Sequence, residues 1–250
     1  MTIAGQTVVV TGGASGLGLA FSRWLATRGA VVWALDHDPA ALASAAGALA
    51  GSSARLVRCD VADEALVSST VRKIESESGG ISVLVNNAAV LKDRALVSKL
   101  GGRIHRHSME DWTETLRCNL TSAFLMTREV CAGMIERRRG GLVVNISSIS
   151  RRGNPGQSAY AASKAAIDAL TVTWSQELAV YGIRVVGIAP GFVETPMTRR
   201  IPPVFLERLR ENTPLKRFGT LAEFGQTIQY VIETDYVNGK TLEIDGGLRF

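Results

Sequence analysis

Seven short apolar runs, "TVVVTG", "AVVWALD", "ARLVRCD", "ISVLVNNA", "GLVVNISS", "IRVVGIAP" and "KTLEIDGG", recur along the chain with helix-length segments between them. Val, Ile and Leu dominate each run with little polar alternation, the pattern of strands covered on both faces. Such strands need helices above and below, so the alternation predicts an α/β protein. Its expected core is a Rossmann-type doubly wound parallel sheet of about seven strands. Right-handed crossovers set the expected strand order 3-2-1-4-5-6-7.

No proline-rich or charged linker divides the 250 residues, and residues 1–250 are read as a single domain. Two long connections stand out, residues 90–110 and 192–219. In an open parallel sheet, ligands bind beyond the carboxyl ends of the strands, where these connections emerge, so both are candidate substrate loops. The prolines of "TRRIPPVFLERLRENTPLKRFG" rule out one continuous helix, and this segment is expected to be a mobile lid with short helical pieces.

Composition narrows the function classes. A hydrophobic fraction of 46% against 20% charged residues is that of a globular chain, not a disordered one. The net charge of +5 is not interleaved with aromatics as in single-strand binders, so no nucleic-acid partner is expected. The basic run "ERRRGG" at 136–141 reads instead as a helix end carrying cations, closed by glycine. No stretch approaches the roughly 20 apolar residues of a membrane span, and "MTIAGQTVVVTGG" has no basic region of a secretory signal. Cys59, Cys118 and Cys131 make neither a disulfide framework nor a zinc motif, which fits a reducing, cytoplasmic setting. His37, His105 and His107 form no ligand motif, so no metal is expected.

"VVVTGGASGLGLA" joins a strand to a helix through a glycine-rich turn. Gly12, Gly16 and Gly18 permit tight turning and close backbone approach, and with Ser15 and Leu17 they open a helix whose free N–H groups suit a pyrophosphate. Asp36, 24 residues beyond Gly12, ends the second run where a dinucleotide-binding unit places the acid that accepts bonds from the ribose hydroxyls. Its charge would repel a 2′-phosphate, and no cation in the turn or just after Asp36 offsets it. NAD(H) is therefore expected over NADP(H); capping of the turn at His37 and Asp38 is the plainer alternative for Asp36.

Read together, Thr11, Gly12, Gly16 and Gly18 in "TGGASGLG", Asp60 and Val61 in "CDVAD", Asn86 to Ala89 in "NNAA" and Asn119 in "CNL" form an ordered set. Ser148 in "NISSIS", Tyr160 and Lys164 in "YAASK", and Pro190, Gly191 and Thr195 in "PGFVETP" complete it. In this order the chain resembles the short-chain dehydrogenases/reductases along nearly its whole length. The resemblance implies that Asp60 and Val61 hold the adenine edge and that Asn87, with Ala88, lines the path to the nicotinamide ribose. It also implies that Val193 and Thr195, beyond Pro190 and Gly191, touch the carboxamide. Ala89 departs from the glycine more usual there.

Hydride transfer between a nicotinamide and a carbonyl needs a group that gives the oxygen a proton or takes it back. Tyr160 and Lys164 lie four residues apart on one helix face, heading an apolar stripe of Ile167, Trp174 and Leu178. The ammonium is expected to lower the phenol's pKa by roughly 1 to 3 units. By resemblance Lys164 also bonds the nicotinamide ribose. Ser148, 12 residues before Tyr160, can hydrogen-bond the substrate oxygen, although the adjacent Ser147 leaves the register to the family motif. Asn119 falls in a helix interior, and the resemblance makes it the anchor of a water in a proton relay to Lys164.

The first connection, carrying Lys92, Arg94, Lys99, Arg103 and Arg106, is similar to that of short-chain-type 3-hydroxyacyl-CoA dehydrogenases. "SSISRRGNPGQSAYAASKAA" and "LEIDGGLRF" are similar to 3-oxoacyl-carrier-protein reductases. Both imply a 3-oxo/3-hydroxyacyl thioester on coenzyme A or a carrier protein. The usual carrier-protein reductase takes NADPH and has a basic residue in the glycine turn, where this chain has Ala14, Ser15 and Leu17. Other NAD-linked relatives oxidise cyclic, aryl or sterol alcohols, and a regulatory dinucleotide-binding protein without catalysis is the alternative of another class. Relatives bury a carboxyl-terminal segment like "VNGKTLEIDGGLRF", with its Phe250, in a homotetramer.

Overall fold

The protein is described by a computed structural model covering residues 1–195, 198 and 202–249. The chain opens with β1 (Thr7–Thr11), α1 (Gly16–Ala26), β2 (Val31–Asp36), α2 (Pro39–Ala48), β3 (Arg55–Arg58), α3 (Glu64–Ser78) and β4 (Val83–Asn86). A hairpin of β5 (Val97–Leu100) and β6 (Arg103–Arg106) follows, then α4 (Met109–Leu116), α5 (Ser122–Arg137) and β7 (Gly141–Ile146). The rest comprises α6 (Ser158–Glu177), β8 (Ile183–Pro190), α7 (Pro203–Asn212), α8 (Leu221–Glu233) and β9 (Thr241–Ile244).

Each of the seven apolar runs becomes a strand of one parallel sheet, in the order β3-β2-β1-β4-β7-β8-β9. This is the expected topology with the hairpin interposed in the numbering. Alternate residues of each strand face opposite layers. Val8, Val10, Val83, Val85 and Val144 pack against Phe21 and Leu25 of α1 and Phe224 and Ile228 of α8. Val9, Leu84, Val143 and Val185 meet Val67 and Ile74 of α3, Met126 and Val130 of α5, and Trp174 of α6. Each fully buried side chain of this size contributes about 1.5–3 kcal/mol of transfer free energy. Within the sheet the edge strands β3 and β9 are the ones open to solvent along their length, while β2 and β8 have one partly exposed residue each.

Three local expectations need correction. The connection at 90–110 is not an irregular loop, because "VSKLGGRIHR" turns back through Gly101 (φ +56°) and Gly102 (φ +78°). Two successive positive φ values make the tight turn whose twist suits a hairpin, and all eight strand residues are exposed. Second, α5 ends on Arg138, itself left-handed at φ +53°, and not on glycine. Gly140 is needed for another reason: a Cβ there would lie 2.5 Å from the Gly182 carbonyl oxygen beside the next strand. Third, Asn119 does not sit in a regular helix. Arg117–Thr121 forms a π-helical turn between α4 and α5, a distortion that re-aims side chains.

Ile167 and Trp174 of the stripe on α6 are buried as expected, while Leu178 caps the helix end. Among the described residues of 192–219, α7 is the one helix, and a capping box of Thr220 and Glu223 starts α8 just beyond. The "RRI" at 199–201 and Phe250 lie outside the described residues.

Candidate active site

β1, β4, β7 and β8 all end on one side of the sheet, and a cavity of about 830 Å³ runs along their carboxyl ends. The glycine turn forms its floor. Gly12 is left-handed at φ +60°, and a Cβ on Gly18 would lie 2.0 Å from the Gly12 carbonyl oxygen. Gly13, which sequence reasoning passed over, is equally constrained, since its Cβ would come 2.8 Å from that of Ala34. Gly16 takes φ +52° in open space, so its glycine answers to conformation and not to contact. Ser15 caps α1 without a side-chain bond, leaving the N–H groups of the first turn free of it.

Thr11 Oγ1 accepts the backbone N–H groups of Asn87 and Ala88, both at 3.0 Å. The Asn87 amide donates in return to Thr11 O (3.0 Å) and Gly12 O (3.2 Å). The motif "NNAA" thus ties β4 to the turn after β1. Asn86 faces Asn145 across β4 and β7 and donates to its Oδ1 at 2.9 Å, while Asn145 Nδ2 donates to Thr171 Oγ1 at 3.0 Å. These buried amides lock the strand ends on which the cavity rests.

Asp36 is buried at the end of β2, where Oδ2 accepts Ala14 N–H (3.2 Å) and Oδ1 accepts Asp38 N–H (3.2 Å). Asp60 accepts Ala62 N–H at 3.0 Å and pairs with Arg117, also at 3.0 Å. On the other flank a Cβ at Gly191 would lie 2.7 Å from Asp245 Cα, so glycine lets β8 pass close behind β9. Thr195 N–H donates to Thr198 Oγ1, which donates to Val193 O.

Lys164 is only 2% exposed, and its Nζ donates to Ile146 O at 2.7 Å. It lies 5.7 Å from the centroid of the Tyr160 ring. Burial pushes its pKa down to about 8, with the charge of Asp168 working the other way. Tyr160 does not show the expected lowering. Burial raises its pKa, a hydrogen bond with Ser148 opposes this, and the charge of Asp93 adds to the rise. The ammonium is engaged by a carbonyl on β7, and desolvation is the main cause of the phenol's shift.

Ser147 and Ser148 both line the cavity but differ in their partners. Ser147 donates to Lys164 O at 3.2 Å and so serves the packing of α6, whereas Ser148 accepts Ser150 N–H at 3.1 Å and its hydroxyl acts to lower the Tyr160 pKa. Asn119 does not reach the cavity wall. Its Oδ1 accepts Val90 N–H (2.7 Å), and its Nδ2 donates to Val90 O (3.0 Å) and to Ser163 Oγ (3.3 Å). Ser163 in turn donates to Tyr160 O at 2.7 Å.

Of the candidate catalytic and cofactor-binding residues, all but Gly18 and Asn119 line the cavity, while Thr11, Asn86 and the basic residues of the first connection do not. Asp93, Gln157, Phe192, Phe205 and Leu209 also line it and were not foreseen. The i, i+4 spacing of Phe205 and Leu209 was the available signal for an apolar helical wall. A glycine turn crowded at Gly12, Gly13 and Gly18, helix N–H groups not capped by a side chain, and a buried acid at the end of β2 fit a nicotinamide dinucleotide.

Residues 12–249 match a family model described as enoyl-(acyl carrier protein) reductase. The chain belongs to the short-chain dehydrogenase/reductase family, the class of oxidoreductases that act on CH–OH and keto groups with a nicotinamide dinucleotide. Within it, the sequence is 39% identical to a 3-oxoacyl-(acyl-carrier-protein) reductase of Thermotoga maritima over 99% of each chain. Over 98% of each chain it is 36% identical to the 3-oxoacyl-(acyl-carrier-protein) reductase of Bos taurus and 34% identical to nodulation protein G of a Rhizobium species. No helix among the described residues is long and apolar enough to cross a membrane.

Proposed function

We propose that the chain, acting over residues 1–250 as one catalytic domain, is an NAD(H)-dependent oxidoreductase. It interconverts a secondary alcohol and a ketone, with a 3-oxo/3-hydroxyacyl thioester as substrate. The observation that carries this reading is that Ser148, Tyr160 and buried Lys164 line one cavity at the carboxyl ends of the strands. When bound, the nicotinamide supplies or accepts the hydride. Tyr160 gives the carbonyl oxygen its proton, and a phenol kept protonated by burial suits that acid role. Ser148 donates to the same oxygen as charge builds on it. Lys164 holds its ammonium beside the phenol and presents it to the ribose. Asn119 is assigned the positioning of residue 90 and of α6 through Ser163. A hydroxyl pair aimed at one oxygen favours carbonyl reduction over the reduction of a carbon–carbon double bond.

Gly12, Ser15, Gly16, Leu17 and Gly18 are assigned the pyrophosphate, Asp36 the adenosine ribose, and Asp60 with Val61 the adenine. Asn87, Ala88, Pro190, Gly191, Val193 and Thr195 flank the nicotinamide end. Buried Asp36, with only Ala14, Ser15 and Leu17 in the turn, supports NAD(H) over NADP(H). Two of the five basic residues of the first connection do not bear on the substrate, because Lys92 and Arg94 are engaged by Asp111. Lys99, Arg103 and Arg106 have no carboxylate partner among the described residues and support an anionic carrier such as coenzyme A or an acyl carrier protein. Phe192, Phe205 and Leu209 would equally suit a cyclic, aryl or sterol alcohol, the second reading. Free Cys59, Cys118 and Cys131 accord with a cytoplasmic setting, and a homotetramer is the assembly we assign.

Initial rates of NADH and NADPH oxidation with acetoacetyl-CoA test the reading. NADH is expected to be at least about tenfold faster, and Tyr160→Phe is expected to lose about 10²-fold or more in turnover while still binding NADH. A preference for NADPH overturns the cofactor assignment, and retained turnover in the variant overturns the role of Tyr160.

A further inference from the structure

Asp93 brings a negative charge to the substrate end of the cavity that the assigned chemistry does not use. Its neighbours Lys92 and Arg94 both turn to Asp111, at 3.2 and 3.6 Å, while Asp93 faces the cavity. No cation pairs with it among the described residues. One side-chain bond holds it, from Gln157 Nε2 to Oδ2 at 3.2 Å, and Gln157 is fixed by Asn154 at 3.0 Å. Below it, Arg94 N–H donates to Gly156 O at 2.8 Å, so the carboxylate is clamped to the turn that enters α6 three residues before Tyr160. Its charge is felt at the phenol. Asp36 and Asp60, the other carboxylates on the wall, stand at the far flank beyond β2 and β3. A partly desolvated carboxylate without a cation is costly to keep, and this one is held on the same cavity wall as Tyr160, against the turn that enters its helix.

We propose that Asp93 is a specificity-determining residue that rejects ketones bearing an anionic group close to the reacting carbonyl. The enzyme thereby discriminates a 3-oxoacyl thioester or ester, which is neutral at that position, from the corresponding free 3-oxo acid. This rests on the reading that the cavity reduces ketones. Two like charges about 6 Å apart at a protein surface discriminate by tenfold to a hundredfold, which sets the expected scale. A distant phosphate on a carrier escapes the effect, since the repulsion falls with distance and is screened within about 10 Å.

The test compares kcat/KM for ethyl acetoacetate and for acetoacetate, at about pH 8 where the acids are ionised. The wild-type enzyme is expected to prefer the ester by about tenfold or more. Asp93→Asn is expected to raise acetoacetate by about tenfold and leave the ester within about twofold, while Asp93→Glu retains the wild-type preference. Equal loss on both substrates in Asp93→Asn would show a merely structural residue and overturn the proposal, as would an unchanged ratio. Wild-type turnover of methyl para-acetylbenzoate but of neither acetoacetate compound would end the thioester reading. Asp93 would then be judged by the same ratio on that ester and para-acetylbenzoate. Failure on every ketone with NADH bound overturns both.

Discussion

Lys164, assigned a place in the catalytic site, also bears on stability. Its ammonium is buried against one carbonyl, and its pKa falls to about 8 from the ordinary 10.5. Below about 8 both folded and unfolded chains hold the proton, and the folded protein bears the full cost of burying it. Between about 8 and 10.5 the unfolded chain binds a proton that the folded chain has released, so stability rises with pH across that window. The rise should total about 3 kcal/mol. Urea unfolding of the wild type and of Lys164→Met at successive pH values should show the gain in the former and not in the latter, and a difference flat with pH would refute it. Tyr160 and Lys164 were legible as a pair from their spacing, but the direction of the phenol's shift was not. Spacing reports which face two residues share. It does not report that the amine reaches a carbonyl on β7 or that Asp93, far along the chain, adds its charge.

At the scale of elements, the β5–β6 hairpin is the largest departure from expectation. A two-stranded hairpin exposed on both faces is marginal on its own, and the feature that gives this one a candidate use is its set of cations without carboxylate partners. Reversing Lys99, Arg103 and Arg106 to glutamate together is expected to raise KM for acetoacetyl-CoA severalfold at low salt, with the effect shrinking toward 0.5 M salt, roughly a 4 Å screening length. Ethyl acetoacetate, which has no phosphates, should be unaffected. Equal effects on both substrates would remove the hairpin from carrier recognition. Sequence reading missed the hairpin because its outward residues are mixed basic and apolar on both faces, leaving no period-two contrast. The paired Gly101 and Gly102 were the remaining signal. Asn119 is a parallel case: its presence was readable, but the π-helical turn between α4 and α5 and the bonds of its amide to Val90 and Ser163 were not.

For the whole molecule, α5 and α6 present a shallow apolar groove formed by Leu120, Phe124, Ala166, Ala169 and Leu170, with Phe124 43% exposed. Paired helices with such a face suit a second copy of the chain and support the assigned homotetramer. Light scattering should give a tetramer for the wild type and a smaller species for Phe124→Asp; a monomeric wild type would sink the assignment. By itself the sequence determined the parallel sheet, its strand order and the residues grouped at its carboxyl edge. Burial on both faces requires unbroken Val, Ile and Leu runs, and glycine positions are fixed by backbone sterics, so both leave local traces. Only the tertiary structure decided which partners Ser147 and Ser148 take, where Lys92 and Arg94 spend their charge, and that Asp93 stands without a cation at the substrate end. Those outcomes depend on distance and desolvation between residues remote in the chain, and neither quantity is written in local pattern.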